Sequence, residues 1–153
     1  MTSDPQSLCR LVYYSRNELA GPEADRAAEV RRLLANSRRN NPRAGVTGAL
    51  MVKGGCFAQA LEGPREAVER TFERIQRDAR HSDVVVLQLA AVGRRGFPAW
   101  SMAFVGRSAS GGALHGGIAG ESGFVEPALL TGERLFDTLR ELVLEEEEGR
   151  TAA

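Results

Sequence analysis

The sequence predicts an α+β fold with the element order βαββαβ and a fifth strand behind it. Three observations carry this. Residues 45–63 hold two short apolar runs joined at Lys53-Gly54-Gly55, and paired glycines between apolar runs supply the positive φ of a tight hairpin turn. One segment before the hairpin and one after it repeat apolar residues at three- and four-residue spacing, the helical period. Runs rich in β-branched and aromatic residues stand outside each helix, at residues 10–16 and 84–92. That order is ferredoxin-like: two helices on one face of a mostly antiparallel sheet, with the first and third strands in its middle.

The elements follow in chain order. Residues 1–8 are polar, contain Pro5 and read as a disordered start. The first strand, residues 10–16, puts Leu11, Tyr13 and Ser15 on one face and Val12 and Tyr14 on the other. Helix one is expected over residues 23–39, with Ala27, Val30, Leu33, Leu34 and Ser37 on one side. Asn40-Asn41-Pro42 is expected to stop it, because the residue before proline is pushed out of helical geometry. Two adjacent amides there read locally as caps. The hairpin strands follow. In the second, Phe57, Gln59 and Leu61 share one face, while Cys56, Ala58 and Ala60 share the other.

Helix two covers residues 65–77, with Ala67, Val68, Phe72 and Ile75 as its apolar stripe. Residues 78–83 read as a polar loop. Strand four, residues 84–92, is a long apolar run and is expected to be buried on both faces. Strand five, residues 100–105, places Trp100, Met102 and Phe104 together. Val12, Tyr14, Ala58 and Val105 are then candidates for the sheet face that the two helices leave bare. Residues 106–123 hold seven glycines in eighteen positions and read as a flexible linker, with His115 an exposed loop histidine. Residues 131–144 form an amphipathic helix, with Leu135, Phe136, Leu139, Leu142 and Val143 on one side. That stripe is expected on the bare sheet face or at an oligomer interface. Glu145 to Glu148 read as a frayed, solvated tail.

Bulk numbers exclude several classes. A chain of 153 residues is long enough for one core without disulfides or metals. Lys+Arg and Asp+Glu are 20 each, which gives no support for nucleic-acid or anionic-membrane binding. Cys9 and Cys56 lack metal-ligand spacing and read as buried thiols of a cytoplasmic protein. There is no apolar run of membrane-spanning length and no signal-peptide core. Nucleophile elbows, P-loops, dinucleotide fingerprints and zinc spacings are absent, so no enzyme activity is expected.

What remains is an awkward amide. Gln59 stands between Phe57 and Leu61 on a central strand, where it must be hydrogen-bonded or cost stability. Taken alone, it reads as a buried glutamine satisfied by backbone or water. In a ferredoxin-like sheet, however, Tyr13 is its neighbour, and both can point at the helical layer. Asn41, with Trp100 or Met102, completes a polar cluster against which a flat ligand could lie.

Five blocks in this order carry a family resemblance: Arg10-Leu-Val-Tyr-Tyr-Ser15, Ser37-Arg-Arg-Asn-Asn-Pro-Arg-Ala-Gly-Val-Thr-Gly48, Phe57-Ala-Gln-Ala-Leu-Glu-Gly63, Gln76-Arg-Asp-Ala-Arg-His-Ser82 and Trp100-Ser-Met102. Together they resemble the BLUF domain, a blue-light sensor using FAD, over residues 9–106. Residues 107–125 are then a linker and 126–148 a C-terminal helical extension. The resemblance implies FAD held non-covalently between the two helices, with FMN or riboflavin as possible substitutes. It places the redox-active tyrosine at Tyr13 and the switching glutamine at Gln59. Asn41 and Asn40, with Ser37, match positions along the flavin's polar edge. Arg80 and His81 match positions near the pyrimidine and ribityl side, Arg74 a place near the phosphates, and Trp100 and Met102 the signal relay on strand five. Gln59 carries both a donor and an acceptor, so it can serve two hydrogen-bond arrangements. The implied function is a short photoreceptor acting through a protein effector in trans, as a homo-oligomer, without nucleic-acid or membrane partners. Two alternatives stay open: a flavin-dependent oxidoreductase, and a ferredoxin-like interaction module that is not photoactive.

Overall fold

A computed structural model describes residues 7–53, 55–97, 102–105 and 131–152. The elements are β1 (Leu8–Asn17), α1 (Glu23–Ala44), β2 (Thr47–Lys53), β3 (Cys56–Pro64), α2 (Arg65–Gln76), β4 (His81–Val92), β5 (Ala103–Val105) and α3 (Gly132–Ala152). They build one five-stranded sheet in the order β4-β1-β3-β2-β5. Every neighbouring pair is antiparallel except β2 with β5, which is parallel. This is the α+β sheet that the sequence predicts, with β1 beside β3.

The alternation read from the sequence divides the two faces. Leu11, Tyr13, Leu50, Phe57 and Leu61 pack with Val30 and Leu34 of α1 and Val68 of α2. Val12, Tyr14, Ala49, Met51, Ala58 and Ala60 pack on the opposite face with Leu135, Phe136, Leu139, Leu142 and Val143 of α3. Thus the C-terminal helix covers the face left bare by α1 and α2. The linker at 107–125, His115, Trp100 and the first six residues lie outside the described residues.

Several boundaries differ from expectation. Helix α1 does not stop at Asn40-Asn41-Pro42 but carries Pro42 in its last turn and ends at Ala44. The terminator is Gly45, at φ 74° and ψ 25°. Its N–H donates to the Pro42 carbonyl at 3.2 Å, and the Val46 N–H donates to the Asn41 carbonyl at 2.9 Å. These two bonds form a Schellman closure, which needs the left-handed backbone that glycine adopts freely. Residues 81–83, expected in a loop, open β4 instead.

Nor is β4 buried on both faces. It is an edge strand, and Val86 and Leu89 are each 44% exposed. Its register against β1 shifts between Val12 and Tyr13 and again between Tyr14 and Arg16. Extra residues in β4 break the two-residue alternation there, which leaves a run of apolar residues without a doubly covered strand. The tail also differs: α3 remains helical through Glu145 to Glu148. Glutamate's good helix propensity favours continuation despite the dipole.

Glu62, on β3, ties the α3 face together. Its side chain is fully buried and pairs with Arg10 Nε at 2.8 Å. The same carboxylate accepts the Gly96 and Phe97 N–H groups at 2.9 Å. Arg10 lies 3.6 Å above the centre of the Phe136 ring, and Phe97 meets that ring edge-on at 5.3 Å. A Cβ at Gly96 would stand 2.2 Å from Phe136, so glycine is required where the loop passes the helix. Arg95 adds bonds to Thr47 Oγ1, the Glu62 carbonyl and the Gly45 carbonyl at 2.7–3.0 Å. Replacing Glu62 by alanine strands a cation and two amide donors. Glu62→Ala is expected to lower the unfolding free energy by about 3–5 kcal/mol. Glu62→Gln should cost less, because its amide oxygen still accepts. Urea unfolding followed by far-ultraviolet circular dichroism measures both, and an unchanged midpoint for Glu62→Ala would contradict the assignment.

Candidate functional site

A cleft open at its mouth lies between α1 and α2 above the sheet. Its floor is Tyr13, Leu50, Phe57, Gln59 and Leu61. The α1 wall is Leu33, Asn36, Ser37, Asn40 and Asn41. Leu33, Ser37, Asn40 and Asn41 are spaced i, i+4, i+7 and i+8, so one helix stripe presents them all. Continuation of α1 through Pro42 is what keeps Asn41 on that stripe, where it is buried. The opposite wall is Thr71, Arg74 and Ile75 of α2, followed by Asp78, Arg80 and His81.

Tyr13 and Gln59 are direct partners in the β1–β3 register. The Tyr13 hydroxyl donates to Gln59 Oε1. Gln59 Nε2 then donates to the Met102 sulfur at 3.3 Å. Both ends of the buried amide are therefore engaged by side chains. Phe72 packs on the Tyr13 ring at 5.4 Å, and His81 meets it edge-on at 6.1 Å. Burial drives the Tyr13 phenol far above its ordinary pKa, and the Asp78 carboxylate and Cys56 push the same way. The group is thus a neutral donor at working pH. Burial likewise lifts the Cys56 thiol to about 11, and both cysteines are free.

His81 stands at the start of β4. Its Nε2 lies 2.6 Å from the Ile75 carbonyl, and its Nδ1 lies 2.7 Å from Ser15 Oγ. A carbonyl can only accept, so Nε2 carries the proton, and in the neutral ring Nδ1 accepts from Ser15. The histidine thus pins α2 to β1 while lining the cleft. Arg80 grips Asp78 through Nε at 2.9 Å and Nη2 at 2.8 Å and also reaches Glu29. Burial opposes ionisation of Asp78, but the Arg80 bonds outweigh it and hold the carboxyl below its usual range. Arg74 differs: among the described residues it has no carboxylate partner, so its charge is available at the cleft mouth.

The structure brings together Tyr13, Gln59, Ser37, Asn40, Asn41, Arg74, Arg80 and His81 around one cleft, with Met102 against the amide. Trp100 lies outside the described residues. Asn36, Thr71 and Asp78 also line the cleft and were not singled out by sequence reasoning. Thr71 had a signal: it falls at i+3 from Val68, inside the inward stripe of α2. Its hydroxyl is buried without a hydrogen-bond partner, a polar atom left over on the cleft wall. An apolar floor, amides along one wall and a free cation at the mouth fit a flat heteroaromatic ring carrying a phosphorylated tail. Flavin has that chemistry.

Comparison with known proteins agrees. The family model described as BLUF, sensors of blue-light using FAD, matches residues 8–103. The photoactivated adenylate cyclase subunit beta of Euglena longa is 33% identical over 97 residues, covering 63% of this chain but 11% of that protein. This chain therefore spans only a small part of the cyclase subunit's length. The blue light- and temperature-regulated antirepressor BluF of Escherichia coli (strain K12) is 36% identical over 59 residues, covering 39% of this chain and 15% of that protein. Among solved structures, the dark state of BlrB, a BLUF protein, superposes with a TM-score of 0.63 at 38% identity, covering 68% of this chain and 76% of that one. The photo-activated state of BlsA superposes with a TM-score of 0.70 at 32% identity, covering 89% of this chain and 94% of that one. With its fold, its cleft and 96 matched residues in agreement, the chain belongs to the BLUF family of blue-light sensors using FAD.

Proposed function

We propose that the protein is a blue-light photoreceptor in which Tyr13 and Gln59 form the photochemical pair and Met102 reads the result. The observation that carries this is the buried series from the Tyr13 hydroxyl through the Gln59 amide to the Met102 sulfur. Bound in the cleft, FAD supplies the absorption of blue light and, once excited, a strong oxidant for a neighbouring phenol. Asn40, Asn41 and Ser37 orient its polar edge, Thr71 offers a further hydroxyl, and Arg74 balances its phosphates. Arg80 and His81 hold the far wall. FMN or riboflavin, which present the same ring, can substitute.

Tyr13 holds its proton on the phenolic oxygen in the dark. Loss of an electron acidifies a phenol steeply, and the proton has a path along the existing bond to Gln59 Oε1. Return of the electron and the proton restores Tyr13 while the amide is free to settle in a turned or tautomeric form. Phe57 and Leu61 exclude water, which raises the stake of each exchanged bond. A thioether accepts but never donates. If the amide turns its oxygen towards Met102, the N–H···S bond is lost and nothing replaces it. Met102 is thereby sensitive to the amide's orientation.

The output reading is association with a protein effector in trans, by a cytoplasmic, homo-oligomeric protein. Two free buried thiols support a reducing compartment. Among the described residues no helix is long and apolar enough to cross a membrane.

The purified protein should show a flavin spectrum that shifts to the red under blue light and recovers in the dark. Failure to take up flavin would overturn the proposal, and steady NAD(P)H turnover in the dark would favour an oxidoreductase instead. Tyr13→Phe and Gln59→Leu should both bind flavin and lose the shift. A normal photocycle in Tyr13→Phe removes Tyr13 as donor.

The buried phenol also makes a pH prediction. An acid whose folded pKa is raised contributes stability fully below its unfolded value, about 10 for tyrosine, and loses it as pH rises above that. Tyr13→Phe should therefore flatten part of the stability loss above about pH 10, measured by urea unfolding across an alkaline series.

A further inference from the structure

We propose that Arg38 is a positioning residue for the Tyr13–Gln59 pair and acts through Met102, an inference that rests on the photoreceptor reading. Arg38 Nε donates to the Met102 carbonyl at 3.1 Å. The Met102 sulfur accepts from Gln59 Nε2, and Gln59 Oε1 accepts from Tyr13. Three hydrogen bonds thus run in series from an exposed arginine on α1 to the buried phenol.

Arg38 is not part of the cleft wall. Asn36, Ser37, Asn40 and Asn41 line the cleft and Arg38 does not; it stands at the edge of their stripe, one helical turn beyond the buried Leu34. Its guanidinium reaches the main chain beside β5 instead. Met102 needs such an anchor. It immediately precedes β5, three residues long and at the sheet edge, paired among the described residues with β2 alone. Its own side chain has three rotatable bonds and a weak acceptor, so the N–H···S contact cannot by itself fix where the sulfur stands. A charged donor on the Met102 carbonyl fixes the backbone from which that side chain hangs. Charge-assisted bonds are stronger than neutral ones. With the backbone held, the amide orientation that points NH₂ at sulfur is favoured over the turned one. Without Arg38 that preference weakens, and the return to the dark arrangement loses driving force.

The experiment follows dark recovery of the absorption spectrum after a blue-light pulse, using the full chain loaded with FAD. Arg38→Ala should bind FAD and slow recovery by about three- to tenfold, the scale of one hydrogen bond whose charge is screened by the solvent around exposed Arg38. Arg38→Lys, which keeps a charged donor, should recover within about twofold of wild type. Arg38→Met keeps the packed stem, removes the donor and should slow recovery as alanine does; it replaces alanine if that variant does not fold. In a Met102→Leu background, Arg38→Ala should add nothing, because the residue through which it acts is gone. Recovery of Arg38→Ala within twofold of wild type, or faster, overturns the proposal. So does equal slowing by Arg38→Lys, or undiminished slowing in the Met102→Leu background. A wild type that binds FAD but shows no light-induced shift overturns the photoreceptor reading itself, and this inference with it.

Discussion

A buried amide has two ends to satisfy, and most of this molecule can be understood as the arrangement that satisfies those of Gln59. Each end left unpaired would cost on the order of 1–3 kcal/mol, a sizeable part of a domain's total stability of about 5–15 kcal/mol. The phenol on β1 takes the oxygen because cross-strand partners in an antiparallel pair stand side by side on one face. The sulfur beside β5 takes the nitrogen. One partner is strong and one is weak, so the amide is held without being locked. A gap of a few kcal/mol between two orientations is what a population shift requires.

Much of this was legible in the sequence. Strict alternation placed Leu11 and Tyr13 on one face, Val12 and Tyr14 on the other, and Gln59 between Phe57 and Leu61. Element order then made β1 and β3 neighbours. The end of α1 was less legible. Pro42 is a local stop signal, yet proline in a last turn forfeits little beyond its own N–H bond, and Gly45 three residues later closes the helix better. The lining of the cleft hangs on that difference, because a helix stopped at Asn40 would turn Asn41 off the cleft stripe. For β4, hydropathy could not distinguish a doubly buried strand from an edge strand whose bulges interrupt its alternation. Arg38 was invisible as a site residue, since its role depends on a main-chain carbonyl 64 residues away.

The two faces of the sheet are joined by β3. Gln59 points into the cleft, and Glu62, three residues on, points at Arg10, the 95–97 loop and, through them, Phe136 of α3. Covering that second face does more than hide apolar surface. The Glu62 carboxylate demands several donors at once, and those donors come from a strand and from the loop that precedes β5.

Which element can respond to a turned amide follows from how each is held. Strand β3 is paired along nearly its whole length on both sides, so a local change in side-chain bonding has little leverage over its backbone. Strand β1 is paired on both sides as well. Strand β5 is short, lies at the edge and is held by one parallel partner. Its approach is clamped at Gly96 and Phe97 by Glu62, and its entry is clamped at Met102 by Arg38. A rearranged Gln59 would therefore act on a short edge strand whose entry is held at Met102. A displacement that began at Met102 would meet resistance from the Arg38 bond. How far a turned amide would be felt beyond the cleft thus depends on how loosely β5 is held, and Ala103 at its start already packs among the residues of the α3 face.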